Sequence, residues 1–136
     1  MYITLEADYA VRIVHVLVNA DGRLDAKTIA DRSCVTLRFA LKILRKLVTN
    51  GIIKSFKGTS GGYELAKNPS EIKLRDVIET VEGTYFFSRC LIEHYPCTRT
   101  GDESDNCPYH NVFKEVSDVV RDKLGEYSFD MFKDKK

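Results

Sequence analysis

Residues 25–63 read DAKTIADRSCVTLRFALKILRKLVTNGIIKSFKGTSGGY, and they carry the clearest pattern of secondary structure in the chain. Asp25 is a favourable N-cap for a short helix, and Thr36 is a favourable N-cap for a longer one. Two short strand-like runs follow, Ile52–Phe56 and Tyr63–Ala66, and the loop between them holds three glycines. A short helix, a tight turn, a longer helix and a hairpin together predict a winged helix-turn-helix.

The longer helix carries an apolar stripe that predicts how it sits in the domain. Its apolar side chains recur at helical spacing, at Leu37, Ala40, Leu41, Leu44, Leu47 and Val48. Gly51 suits the position just past its last turn. The stripe predicts one buried face and leaves the opposite face free to meet a ligand.

The flanking segments predict further helices. Thr4 is the N-cap of a helix over residues 5–18, and residues 74–82 form another helix that ends at Gly83. Pro108 suits the first turn of a last helix that runs to about residue 124. The predicted fold class is therefore mainly α with a small β-hairpin wing, followed by a long C-terminal helix.

Charge is segregated along the chain, although the net charge is only +1. Residues 33–63 contain six basic side chains and no Asp or Glu, so the rest of the chain is acidic overall. A local basic face matters more to a polyanion than the sum over the chain. The pattern predicts a surface for a double-stranded DNA operator; the alternative is a solvated basic face on a helical core.

The predicted DNA contacts lie on the outward face of the longer helix and on the hairpin loop. Arg and Lys bind guanine edges or phosphates, and glycines let a backbone approach DNA closely. The candidates are Thr36, Arg38, Phe39, Lys42, Arg45, Lys57, Gly58, Thr59 and Ser60.

Three cysteines, Cys90, Cys97 and Cys107, stand at C-x6-C-x9-C in a polar segment without steady periodicity. Thiolates bind soft metals, and the segment lacks the C-x2-C knuckle usual in structural zinc sites. Long, irregular spacings suit an iron–sulfur cluster, of either the 2Fe-2S or the 4Fe-4S type. Zinc, a thiol redox switch and cysteines without chemistry remain alternatives. Cys34, in the turn between the two helices, is expected to be a small core residue.

Three side chains are candidates for a fourth metal ligand: His94, His110 and Asp8. His110 lies one helical turn after Cys107 and so shares its face. A histidine in a loop is more often solvated than bound to metal, which weakens the case for His94.

The chain as a whole resembles a family of small winged-helix regulators that includes IscR, NsrR and CymR. The resemblance rests on Ala7-Asp8-Tyr9-Ala10, on the wing at 57–63 and on the cysteine loop before a long helix. It implies that residues 36–45 form the recognition helix and that the wing reaches the minor groove. It also implies that the three loop cysteines hold an iron–sulfur cluster.

The resemblance leaves the fourth ligand open. The IscR pattern places a histidine just past the third cysteine, which matches His110. The NsrR pattern takes a carboxylate from the first helix of the partner subunit, which matches Asp8. The gap from Cys97 to Cys107 is longer than is usual in the family, and Lys57 stands where IscR has arginine.

The last helix carries a second apolar stripe, made by Val112, Phe113, Val116, Val119, Val120 and Leu124. Family members use this stripe as a dimer interface, so a homodimer is expected; the alternative is that the helix packs on its own domain. The predicted organisation is a DNA-binding domain over residues 1–83, a cofactor loop over 84–107, and a dimerisation helix with a tail over 108–136.

The opening residues, Met1–Glu6, contain neither a basic segment nor a long apolar run. No signal peptide or membrane span is predicted, and the cytoplasm is the expected compartment. The expected function is a dimeric regulator whose operator affinity is set by an iron–sulfur cluster that senses redox, iron or nitric oxide status. The alternative is a cluster-free repressor controlled by a protein partner or by thiol oxidation. An enzyme is not expected, because no phosphate loop or oriented Cys–His set is evident.

Overall fold

A computed structural model describes residues 2–101 and 107–135. The N-terminal part contains α1 (Leu5–Val18), α2 (Ala26–Ser33) and α3 (Leu37–Thr49). The predicted caps hold: the side chains of Thr4, Asp25 and Thr36 each accept a hydrogen bond from a backbone N–H in the first turn. The three helices therefore begin where short-range chemistry places them.

The wing is an antiparallel hairpin of β1 (Ile53–Phe56) and β2 (Gly62–Leu65). Both strands begin and end within one residue of the predicted bounds. Leu24 adds a bridge to the hairpin: its N–H donates to the Tyr63 carbonyl at 3.1 Å, and its carbonyl accepts from the Tyr63 N–H at 2.8 Å. Gly62 is required there, because a Cβ would lie 2.5 Å from the Leu24 carbonyl oxygen. The wing is thus joined to the loop before α2.

The core lies between α1, α3 and α4 (Leu74–Glu82). Its fully buried side chains include Ala7, Ala10, Ile13, Val14, Ala40, Ile43, Leu44, Leu47 and Val77. The predicted stripe of α3 was partly wrong, since Leu37 and Leu41 are exposed and Ile43 is buried instead. The buried face is therefore rotated toward Ile43.

The C-terminal part returns to the core. The last helix, α5 (Pro108–Leu124), begins and ends as predicted, and a short 3₁₀ helix follows at Phe129–Phe132. Phe129 is only 2% exposed, and its N–H donates to the Ile72 carbonyl at 3.0 Å. The chain end therefore completes the core of the winged domain. No helix in the described ranges is both long and apolar enough for a membrane crossing.

Candidate nucleic-acid interface and cysteine loop

Two arginines on the outer face of α3 are available to a ligand. Arg38 and Arg45 are exposed, and neither side chain has an ion-pair or hydrogen-bond partner among the described residues. Thr36 is exposed beside them, and its hydroxyl accepts the Phe39 N–H at 3.3 Å. Phe39 itself packs edge-to-face on Tyr9, with ring centroids 5.7 Å apart. The ring therefore supports the start of α3 and remains partly accessible.

The lysines of α3 differ from the arginines, because Glu6 of α1 faces them. The Lys46 Nζ lies 2.8 Å from the Glu6 Oε1, while the Lys42 Nζ is 3.8 Å away from the same oxygen. Lys46 is the more buried of the two lysines and also points at the Val81 carbonyl. Lys42 keeps most of its side chain in solvent and remains a candidate for DNA contact, whereas Lys46 neutralises Glu6.

The wing loop presents Lys57, Gly58, Thr59 and Ser60 to solvent. The Gly61 N–H donates to the Gly58 carbonyl at 3.0 Å, which closes the loop on itself. A Cβ at position 61 would lie 2.4 Å from the Phe56 carbonyl oxygen, so the tight turn requires glycine. The loop therefore holds one cation and several backbone groups at an exposed tip, as a close approach to DNA demands.

The three loop cysteines lie in different settings, and none forms a disulfide. Cys90 is half-buried in a 3₁₀ turn, Arg89–Leu91, with its Sγ 3.3 Å from the Ser88 Oγ. Cys107 is buried at the start of α5, and the Arg99 guanidinium donates to its Sγ at 3.4 Å.

Cys97 has the most polar setting of the three. Its pKa is lowered, first by the Thr100 side chain, then by the backbone N–H groups of Thr100 and Arg99 and by the Arg99 charge. The Gly101 N–H donates to the Cys97 carbonyl at 2.9 Å, which bends the chain into this arrangement. The thiolate of Cys97 is thus favoured, and thiolates are the form that binds metals.

The candidate fourth ligands differ in how they are already engaged. The Nδ1 of His110 is buried and has no hydrogen-bond partner in the part of the chain that the structure describes. Asp8 is paired with Arg12 at 2.9 Å, and His94 is almost fully exposed beside Glu93 at 3.3 Å. A buried, unpaired imidazole nitrogen is unfavourable unless something binds it. Of the three candidates, His110 is therefore the one with a buried nitrogen that lacks a hydrogen-bond partner among the described residues.

The chemistry of these donors fits an iron–sulfur cluster, since three thiols and an unpaired imidazole nitrogen share one segment of the chain. They are not assembled, however: within residues 2–101 and 107–135, no three metal-binding side chains stand close enough to hold an ion. Five residues between Cys97 and Cys107, at 102–106, lie outside the described ranges.

Cys34 is not in the core, contrary to expectation. It ends α2 in the left-handed conformation, with φ at 57°, and is exposed. Val35 takes the buried position beside it. The left-handed turn directs the chain toward α3 and leaves the thiol in solvent.

The apolar stripe of α5 is divided between two surroundings. Phe113 packs on Phe87, with ring centroids 5.5 Å apart, and Leu124 packs against the core. Val112 and Val119 are 52% and 63% exposed, while Val116 and Val120 are half-buried. The helix therefore packs on its own chain through Phe113 and Leu124 and leaves Val112 and Val119 exposed.

Sequence reasoning missed three residues that shape these sites: Arg23 against the wing, Arg99 against Cys107 and Phe129 in the core. Only Arg99 had a visible signal, because a cation between two cysteines is a natural partner for thiolates. Arg23 and Phe129 act over long sequence separations that no local pattern shows.

The described geometry can be compared with known proteins. The Rrf2 family, described as an iron-dependent transcriptional regulator, matches residues 3–135. The regulator IscR of Pectobacterium atrosepticum is 29% identical over 136 aligned residues, covering 96% of this chain and 77% of that protein.

Two solved structures share the fold. The structure of CymR, the global cysteine regulator of B. subtilis, has a TM-score of 0.72 at 22% identity and covers 96% of this chain and 94% of its own. The structure of IscR from T. potens has a TM-score of 0.69 at 23% identity, covering 95% and 83%. The comparisons confirm the winged-helix fold and the resemblance seen in the sequence.

Proposed function

Because the chain belongs to the Rrf2 family of transcriptional regulators, we propose that it binds a DNA operator as a homodimer under the control of an iron–sulfur cluster. It is a regulator and not an enzyme, as its relatives indicate.

The DNA contacts are assigned to α3 and the wing. The support comes from Arg38 and Arg45, which are exposed and lack partners among the described residues. Arginines in that state have no internal ion pair to break when they meet a phosphate or a guanine edge. Lys57 and its neighbouring loop residues supply a second contact, one that holds the backbone of the operator.

The observation that carries cluster control is the buried, unpaired Nδ1 of His110, one turn after Cys107. Cys90, Cys97 and Cys107 would hold the cluster, and His110 would complete the set, with Asp8 as the alternative. The bound cluster would act as the sensor, because it would be lost or oxidised when the redox, iron or nitric oxide status changes. Cys90 and Cys97 lie in the loop and Cys107 at the start of α5, so a shared ligand ties the loop to the helix.

The test is the protein purified without oxygen. We expect a brown protein that contains iron and acid-labile sulfide in near-equal amounts, and a Cys97→Ser variant that is bleached. A colourless wild type with stoichiometric zinc would instead indicate a structural metal site. Full operator affinity in a protein free of metal would favour the cluster-free alternative.

The same spectra distinguish the fourth ligand. If His110 is the ligand, His110→Ala shifts the visible spectrum and Asp8→Ala does not. If Asp8 acts across the dimer, the reverse holds, and mixing Asp8→Ala with Cys90→Ser subunits restores one intact site per heterodimer. Unchanged spectra in both variants would point to His94 or to an external ligand.

A second candidate function has its own support. Cys97 has a lowered pKa in an exposed loop, which is the setting of an oxidation-sensitive thiol. In that case the metal-free protein would lose operator affinity on mild peroxide treatment, and Cys97→Ser would be resistant.

A further inference from the structure

One arginine outside both helices of the DNA-reading motif contacts all three parts of the wing. The Arg23 guanidinium lies over the Phe56 ring at the end of β1, with its Cζ 3.4 Å from the ring centroid. Its Nε lies 3.6 Å from the Glu64 Oε2 on β2, and its Nη1 donates to the Ser60 carbonyl in the loop at 3.4 Å.

These contacts matter because one of them reaches the tip of the wing, residues 57–61. The bridge between Leu24 and Tyr63 joins β2, one residue after the wing loop, to the loop before α2. Within the loop itself, among the described residues, the hydrogen bond from Arg23 to Ser60 is the one polar bond that joins residues 57–61 to anything outside the hairpin.

We propose that Arg23 is a positioning residue for DNA binding, which sets the height and angle of the wing tip relative to α2 and α3. The inference rests on the proposed role of the wing as a DNA contact. Arg23 precedes the cap of α2 by two residues, so it links the wing to the start of the helix-turn-helix itself. The tip that carries Lys57 is thereby held in register with Arg38 and Arg45 on the recognition helix.

The chemistry requires arginine at this position. A planar guanidinium stacks on an aromatic face and still directs separate N–H groups at a carboxylate and a carbonyl. Lysine keeps the charge but lacks both the planar group that stacks on a ring and the several N–H donors in fixed directions. Each contact is partly solvent-exposed and individually weak, so their effect is on the position of the wing and not on the stability of the fold.

The test combines operator affinity with hydrogen exchange in the full-length dimer. In Arg23→Lys, we expect affinity to fall about fivefold, about 1 kcal/mol at 25 °C. Amide exchange across residues 58–62 should become faster, while the melting temperature and the salt dependence of binding should stay unchanged. The salt dependence stays because no phosphate contact is removed.

A double-mutant cycle shows whether the effect of Arg23 on operator affinity depends on its stacking on the Phe56 ring. In a Phe56→Leu background, Arg23→Lys should lower affinity by less than about twofold further, because the stacking surface is already gone. Fully additive losses would contradict the proposal.

The matched control is Lys57→Ala, which should weaken binding and flatten the salt dependence without changing exchange in the wing. If Arg23→Lys leaves exchange and affinity at the wild-type level, Arg23 does not position the wing. If Arg23→Ala flattens the salt dependence while exchange is unchanged, Arg23 is a direct phosphate contact and the proposal is wrong. If Lys57→Ala leaves affinity intact, the wing is not a DNA contact, and the exchange data still report on Arg23 separately.

Discussion

At the scale of single residues, the cations of α3 are distinguished by what faces them from α1. Glu6 pairs with Lys46 and lies near Lys42, while the described residues offer no partner to Arg38. Six positive charges in the sequence are therefore not six equivalent contacts for DNA. The pairing joins residues 40 positions apart, which no local pattern in the sequence reveals.

Arg38→Ala should cost about 1–3 kcal/mol of operator binding and relax base preference at one position in each half-site. Lys46→Ala is the matched control on the same helix, and it should change affinity less than about threefold because Lys46 is already paired with Glu6. Affinity for specific and scrambled duplexes, titrated over salt, measures both. Wild-type affinity and base preference in Arg38→Ala would show that α3 is not the reading helix.

The lowered pKa of Cys97 predicts how its reactivity depends on pH. An ordinary thiol has a pKa of about 8.5, so in the metal-free protein the Cys97 thiolate should form at a lower pH than that. Iodoacetamide should therefore modify Cys97 faster than the buried Cys107 at neutral pH, as read by mass spectrometry. Thr100→Val should move the Cys97 profile toward higher pH and Thr100→Ser should not; an unmoved profile in Thr100→Val would contradict this.

At the scale of elements, α5 shows how much a sequence pattern determines. Pro108 and the apolar spacing predicted its start and its end correctly, because these depend on local geometry. What covers each part of that face depends on the rest of the fold. Phe113 meets Phe87 and Leu124 meets the core, while Val112 and Val119 stay exposed.

The exposed valines predict a dimer contact that a charge should break. Val119→Glu should convert the dimer to monomer, because a carboxylate in an apolar interface is costly to bury. Val119→Leu, which keeps the apolar surface, should leave the dimer intact. Sedimentation velocity at micromolar concentration distinguishes the two, and an intact dimer in Val119→Glu would place the interface elsewhere.

The cysteine segment, in contrast to α5, was poorly predicted from the sequence pattern. Its residues were recognised as possible ligands from their type and spacing, but spacing does not say which thiols are buried. Cys107, at the start of α5, is buried, whereas Cys34, in the left-handed turn that ends α2, is exposed. Both outcomes come from backbone geometry that a list of cysteines does not contain.

At the scale of the whole molecule, the chain end closes the N-terminal core. Phe129→Ala should lower the free energy of unfolding by about 3–5 kcal/mol, because a fully buried aromatic ring is removed. Met131→Ala, two residues away and 61% exposed, should change it by less than about 0.5 kcal/mol. Urea denaturation measures both, and similar small losses would mean that Phe129 is not part of the core.

The return of Phe129 to the N-terminal core also constrains protein synthesis. The third helix, α3, leaves the ribosome long before Phe129, the residue that completes the domain around it, since about 80 residues separate them. We expect a nascent chain to lack a finished winged domain until α5 has been made. Under the proposed function, half-made chains would then not occupy operators, and the regulator would first bind DNA only after α5 has been made.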